Sequence, residues 1–233
     1  MEHFGSIYCV GKNYPDHALE MAAMEPIPAV DPRSRTSPGE PIIFMKPPAA
    51  LSLARTTTIP IFDGSPVSSD MHHEVELVLL IGRNADSVSL DEASSCISGY
   101  AVGLDMTLRD VQLAAKREGN PWLKSKGFRN SALVSEFVPP AAAGPWESLS
   151  ISLRRNGRVV QHSPVSKMTF PPAYLVHYLS YIYGLRRGDL IFTGTPAGVG
   201  RTERGDRLDA ALESEAGDGE QCSLLAALEA IVT

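Results

Sequence analysis

Apolar positions along the chain fall in short runs broken by turn residues, a pattern that favours many strands over long helices. The runs predict strands at Ser6–Val10, Ile42–Met45, Glu74–Ile81, Ile97–Leu104, Leu149–Arg154 and Asp189–Thr193, the last introduced by Arg187-Gly188. Asn156-Gly157 predicts a hairpin turn from Leu149–Arg154 into Arg158–Gln161. Helical spacing marks Tyr14–Ala23, Thr107–Glu118 with Gly119 as its stop, and Ala173–Tyr183 between Pro171-Pro172 and Gly184. Glu25–Pro41 carries five prolines and little periodicity, so it reads as an insertion or lid outside the core. Glu213–Glu220 is acidic and loose, and Ser223–Ile231 is apolar enough to dock as a last short helix or strand. The proportions give an α+β chain with a dominant sheet.

Composition narrows the function. The 27 acidic and 21 basic side chains leave a net charge of −6 without a Lys/Arg block, which argues against a nucleic-acid surface. No apolar run approaches a membrane span, and the start Met1-Glu2-His3-Phe4 lacks a signal-peptide pattern, so the expected location is cytoplasmic, away from membranes. Cys9, Cys96 and Cys222 are too scattered for a disulfide framework or a zinc site. Small-molecule chemistry is the remaining class.

The residues that carry chemistry begin with His72-His73-Glu74-Val75-Glu76, where alternation puts Glu74 and Glu76 on one face of a strand that then turns apolar on both faces. Two carboxylates at the mouth of a buried strand call for a cationic partner, and a divalent metal would serve. The next strand delivers Asp105, and helical spacing groups Asp105, Arg109 and Gln112 on one polar face. Three carboxylates without thiolate or imidazole make a hard oxygen site suited to Mg²⁺ or Mn²⁺. His72 and His73 miss zinc-protease spacing and read as supporting residues. His17 and Glu20, three apart, outline a general-base dyad. Lys126 offers a cation for a carboxylate or enolate, while Thr193–Gly200 offers hydroxyls and backbone N–H groups for an anion without being a phosphate loop.

Taken in order, G-K-N-Y-x-x-H-x-x-E, F-M-K-P, H-H-E-V-E-L, G-Y-A-V-G-L-D-M-T-x-R-D-x-Q, P-W-x-x-x-K-G-F and G-D-x-I-x-T-G-T-P-x-G-V-G span about residues 7–206 and resemble the fumarylacetoacetate hydrolase family, in its short acylpyruvase branch. The resemblance implies a mainly β, mixed β-sandwich roll with a few helices. It implies a single catalytic domain over residues 1–233, with an N-terminal lid segment to about residue 41 and a β-roll core beyond it, working as a homodimer. It further implies Mg²⁺ or Mn²⁺ on Glu74, Glu76 and Asp105, substrate contacts from Arg109, Gln112, Lys126 and Thr195, and a water-activating dyad of His17 and Glu20 on a mobile lid. The implied reaction is hydrolysis of an acylpyruvate such as fumarylpyruvate or acetylpyruvate: His17 draws a proton from water, and Lys126 helps stabilise the pyruvate enolate that leaves. The same branch includes oxaloacetate decarboxylases and tautomerases, and isomerases of unsaturated hydroxy dicarboxylates in aromatic catabolism. This chain departs from the pattern in its longer Pro-rich linker with Arg33 and Arg35, in Arg129-Asn130 after Phe128, and after Asp206.

Overall fold

The computed structural model describes residues 4–24, 40–52, 54–214 and 222–233. The first half of the chain forms β1 (Ile7–Gly11), α1 (Pro15–Met24), β2 (Ile42–Lys46), β3 (Thr56–Thr57), β4 (Ile61–Phe62), β5 (Ser65–Pro66), β6 (Met71–His73), β7 (Val75–Ile81), α2 (Leu90–Ala93) and β8 (Ile97–Asp105). The second half forms β9 (Thr107–Leu108), α3 (Arg109–Glu118), α4 (Leu123–Lys126), β10 (Ala132–Val134), α5 (Pro140–Ala143), β11 (Leu149–Arg155), β12 (Arg158–Pro164), α6 (Pro172–Ile182), β13 (Leu190–Phe192), β14 (Gly200–Arg201), β15 (Arg207–Ser214) and β16 (Ser223–Val232).

Six strands make one sheet in the order β10-β8-β7-β13-β1-β2, with β1 and β13 parallel and the other neighbours antiparallel. Five make a second sheet, β12-β11-β15-β16-β3, in which only β16 and β3 are parallel. Strands β7 and β8 pack against β11, β15 and β16, so the two sheets form a sandwich. Side-chain alternation decides what each face of β7 meets. Val75, Leu77, Leu79 and Ile81 join a core with Ile151, Leu153, Leu208, Leu212 and Leu228 from the second sheet. Val78, on the opposite face, packs with Ile7, Cys9, Ala101, Leu190 and Phe192. The strand is buried on both sides, as its unbroken apolar run requires.

The structure moves several expected elements. Thr107 and Leu108 are strand, not helix, because they pair with His72 and Met71, and the helix starts at Arg109, whose N–H donates to Asp70 O. Ser223–Val232 is a strand whose inward residues Ala226, Leu228, Ala230 and Val232 alternate with outward ones. Glu213 belongs to β15, a strand the sequence pattern did not announce. Asn156 and Gly157 form the expected hairpin, both at positive φ, 52° and 81°. Cys9, Cys96 and Cys222 are free thiols. Among the described residues no helix is long and apolar enough to cross a membrane. Most of the Pro-rich stretch, with Arg33 and Arg35, lies outside the described residues, as does the acidic stretch after Ser214.

Gly103 lies on the same face of β8 as Ala101 and Asp105, at a point where packing leaves no room. A Cβ there would stand 2.6 Å from Val78 Cγ2, 2.8 Å from Phe192 Cε1 and 2.9 Å from Leu133 O. Gly103→Ala therefore overpacks the six-stranded sheet and should destabilise the protein by about 1–3 kcal/mol, seen as a lower Tm in thermal unfolding. An unchanged Tm would show that this face relaxes freely.

Candidate active site

The face of β7 and β8 turned away from the sandwich interior ends in three carboxylates. Glu74 and Glu76 stand two apart at the start of β7, and Asp105 N–H donates to Glu74 O at 2.9 Å, which sets the neighbouring strand end beside them. One oxygen from each carboxylate can lie within 4.8 Å of the others, and all three residues are buried. His72 and His73 stay out of this cluster.

Three cations enter the same space. Lys126, at the end of α4, donates to Glu74 Oε2 at 2.6 Å and to Asp105 Oδ2 at 2.8 Å. Arg109, the first residue of α3, reaches Glu74 Oε1 at 2.5 Å and holds Gln112 Oε1 at 2.6 Å. Lys46, fully buried at the end of β2, meets Asp105 Oδ1 at 2.7 Å and donates to Ser131 Oγ, Met106 O and Lys126 O. Lys46 lies within F-M-K-P, where a lone lysine closing a strand has no local signal of burial; only its distant partner Asp105 reveals its place in the site.

The charges are shared unequally. Burial alone would raise the Glu74 pKa, but Lys126 and Arg109 outweigh it and hold that carboxyl well below the usual range. Glu76 goes the other way: burial first, then the nearby Asp105 and Glu74 charges, push it well above its ordinary value, against the weaker pull of the Lys126 charge and a 2.7 Å hydrogen bond from Gly194 N–H. Among the described residues no cationic side chain is ion-paired with Glu76. An all-oxygen donor set with one carboxylate outside any of these ion pairs fits a hard divalent ion, so Glu74, Glu76 and Asp105 are suited to hold Mg²⁺ or Mn²⁺.

The remaining expected residues arrive from β1's continuation and from the turn after β13. Asn13 ties these segments together: its Nδ2 donates to Thr193 O at 2.7 Å and Phe170 O at 3.0 Å, and its Oδ1 accepts from Phe170 N–H. Helix α1 then carries His17, which is buried, with Nδ1 3.2 Å from Glu20 Oε2. Glu20 in turn accepts from Gly198 N–H at 3.1 Å, so the dyad is seated on the 193–200 turn. Desolvation lowers the His17 pKa despite the raising influence of Glu74 and Glu20. His17, Glu74, Glu76, Arg109, Gln112, Lys126 and Thr195 line one cavity of about 30 Å³, with Glu20 behind His17. That space suits a water or an ion.

Because Glu76 is charged at a cost, Glu76→Gln should leave the protein in EDTA at least as stable as the parent. It should also lose most of the rise in Tm that Mn²⁺ gives the parent protein. A variant that keeps the full Mn²⁺ increment would remove Glu76 from the ligand set.

The family model for the fumarylacetoacetate (FAA) hydrolase C-terminal region matches residues 6–226. A mitochondrial oxaloacetate tautomerase of Rattus norvegicus is 38% identical over 213 residues, covering 89% of this chain and 87% of that protein. An oxaloacetate tautomerase of Escherichia coli K12 is 38% identical over 204 residues, covering 87% and 85%. Among solved structures, fumarylpyruvate hydrolase of Pseudomonas aeruginosa in complex with Mn²⁺ and pyruvate superposes with a TM-score of 0.78 at 36% identity, covering 99% of this chain and 90% of that one. By its sequence, its sandwich and its carboxylate cluster, the chain belongs to the fumarylacetoacetate hydrolase family.

Proposed function

We propose that this enzyme is an oxaloacetate tautomerase, interconverting the keto and enol forms of a 2-oxo dicarboxylate. The observation that carries this reading is that relatives 38% identical across nearly nine-tenths of the chain bear that activity in their names. The site chemistry is compatible with it. Keto–enol exchange needs a base for a C3 proton and cations facing the developing oxyanion, and it needs neither an attacking water nor a leaving acid.

Glu74, Glu76 and Asp105 would hold Mg²⁺ or Mn²⁺, which supplies Lewis acidity toward the 2-oxo oxygen. Arg109 and Lys126 supply positive charge for a substrate carboxylate and enolate oxygen, while Gln112 and Thr195 complete the cradle. With the Nδ1 proton held by Glu20, His17 keeps its Nε2 lone pair as the base. Nε2 takes the C3 proton, the C3–H electrons become the C2=C3 bond, and the same proton returns to the C2 oxygen. Burial protects the neutral imidazole that the step requires.

Hydrolysis of an acylpyruvate is the second reading, favoured by the fumarylpyruvate hydrolase structure. The same His17–Glu20 pair would then activate water. Oxaloacetate and fumarylpyruvate assayed side by side separate the two: loss of enol absorbance without chain cleavage supports tautomerisation, and release of pyruvate with fumarate would replace it by hydrolysis.

His17→Ala should cut turnover by about 10²–10⁴-fold with little change in Tm. The pH dependence follows from the direction of its shift. The neutral imidazole is the active form and its pKa lies below the ordinary 6.5, so the rate should be flat above neutrality and fall only in acid below that value. A cation among the carboxylates pushes the same way. A rate still climbing between about pH 7 and 8 would take the base role away from His17.

A further inference from the structure

Gln161 lies on β12, a strand of the second sheet, yet its side chain reaches across to the active-site face and is 2% exposed. All of its hydrogen-bonding capacity is used. Oε1 accepts from Val75 N–H at 3.1 Å and also meets His73 Nδ1 at 3.1 Å. Nε2 donates to Pro196 O at 2.9 Å and to Thr195 Oγ1 at 2.8 Å.

The two backbone partners fix which end of the amide is which. Val75 N–H can only donate and Pro196 C=O can only accept, so exchanging O and N would set donor against donor at one end and acceptor against acceptor at the other. Two consequences follow. His73 must donate from Nδ1, which makes it the Nδ1–H tautomer. Thr195 Oγ1 must accept, so its own proton is free to point elsewhere, and among the described residues no acceptor takes it. Thr195 lines the cavity, and that proton is therefore available to an anion held there.

The placement joins two parts of the site. Val75 stands between Glu74 and Glu76, and Thr195 opens the turn that seats Glu20 through Gly198. The turn lies hard against β12: a Cβ on Gly198, at φ +98°, would stand 2.2 Å from Val160 O. We infer that Gln161 is a positioning residue that makes the Thr195 hydroxyl an obligate donor toward the substrate's carboxylate or oxyanion and locks its turn in register with the carboxylate strand. The inference rests on the 2-oxo acid binding in the proposed function, but not on which reaction follows.

The test is binding, not turnover. Pyruvate affinity for the Mg²⁺-loaded protein is measured by calorimetry in a double-mutant cycle of Gln161→Met and Thr195→Val. Gln161→Met should weaken pyruvate by about tenfold in the parent, the scale of one hydrogen bond to a charged group, and by less than about twofold once Thr195 is Val. Equal losses in both backgrounds would make Gln161 a structural residue only, and no loss in the parent would overturn the inference outright. Gln161→Glu keeps the acceptor for Val75 but removes the donor to Thr195, and it should reproduce the loss if the Met variant fails to fold. Imidazole ¹⁵N spectra of the parent protein give a check that needs no variant: His73 should appear as the Nδ1–H tautomer, and an Nε2–H signal would overturn the amide orientation. Failure of tautomerase turnover with these outcomes intact would refute the proposed reaction and leave the role of Gln161 standing.

Discussion

The constraint on which the site depends is the enclosure of three carboxylates away from bulk solvent. Glu74, Glu76 and Asp105 are all buried, and bringing such groups together without countercharge would cost several kcal/mol for each. The fold answers with Lys46, Lys126 and Arg109, each brought from a different element: the end of β2, the end of α4 and the start of α3. The compensation is uneven. Glu74 is doubly paired and firmly ionised, whereas Glu76 has one backbone N–H and the repulsion of its neighbours. That imbalance is what makes the cluster receptive to a small cation.

The sandwich makes the imbalance tolerable. One face of β7 is committed to the inter-sheet core, so the strand's position does not depend on the charged end of its other face. Apolar packing of Leu77, Leu79 and Ile81, at roughly 1.5–3 kcal/mol for each buried side chain, anchors the strand from which the carboxylates project. Polar ties then align the outer segments. Asn13 joins the β1 turn to the β13 turn, and Gln161 joins the second sheet to both halves of the site. Rigid strands hold the three carboxylates, while His17 sits on α1, which is seated on that frame by Glu20 and Gly198.

Much of this was legible from residues alone. The doubled glutamate before an apolar run, Asp105 at a strand end and the one-sided grouping of Arg109 and Gln112 are all local patterns, and periodicity reads local patterns well. What escaped depends on distant partners. Thr107-Leu108 has helical spacing, yet pairing with Met71 and His72 wins. The alternation of β15 is diluted by Ala210 and Ala211, which have little strand preference of their own. Lys46 and Gln161 looked like polar ends of strands because a side chain's burial is decided by what another strand brings to it.

The parallel pairing of β1 with β13 has a consequence for biosynthesis. Ser6 N–H bonds Asp189 Oδ1 across 183 positions, so the first strand of the sheet has no inner neighbour until most of the chain has been made. At about 5–20 residues per second that is a wait of roughly ten to forty seconds. During it, the apolar β1–β2 pair carries an open edge that invites pairing with other chains. His17 and Thr195 come to line one cavity only after that edge closes, so a nascent chain lacks the assembled site until its last quarter emerges, and early truncation leaves aggregation-prone fragments without it.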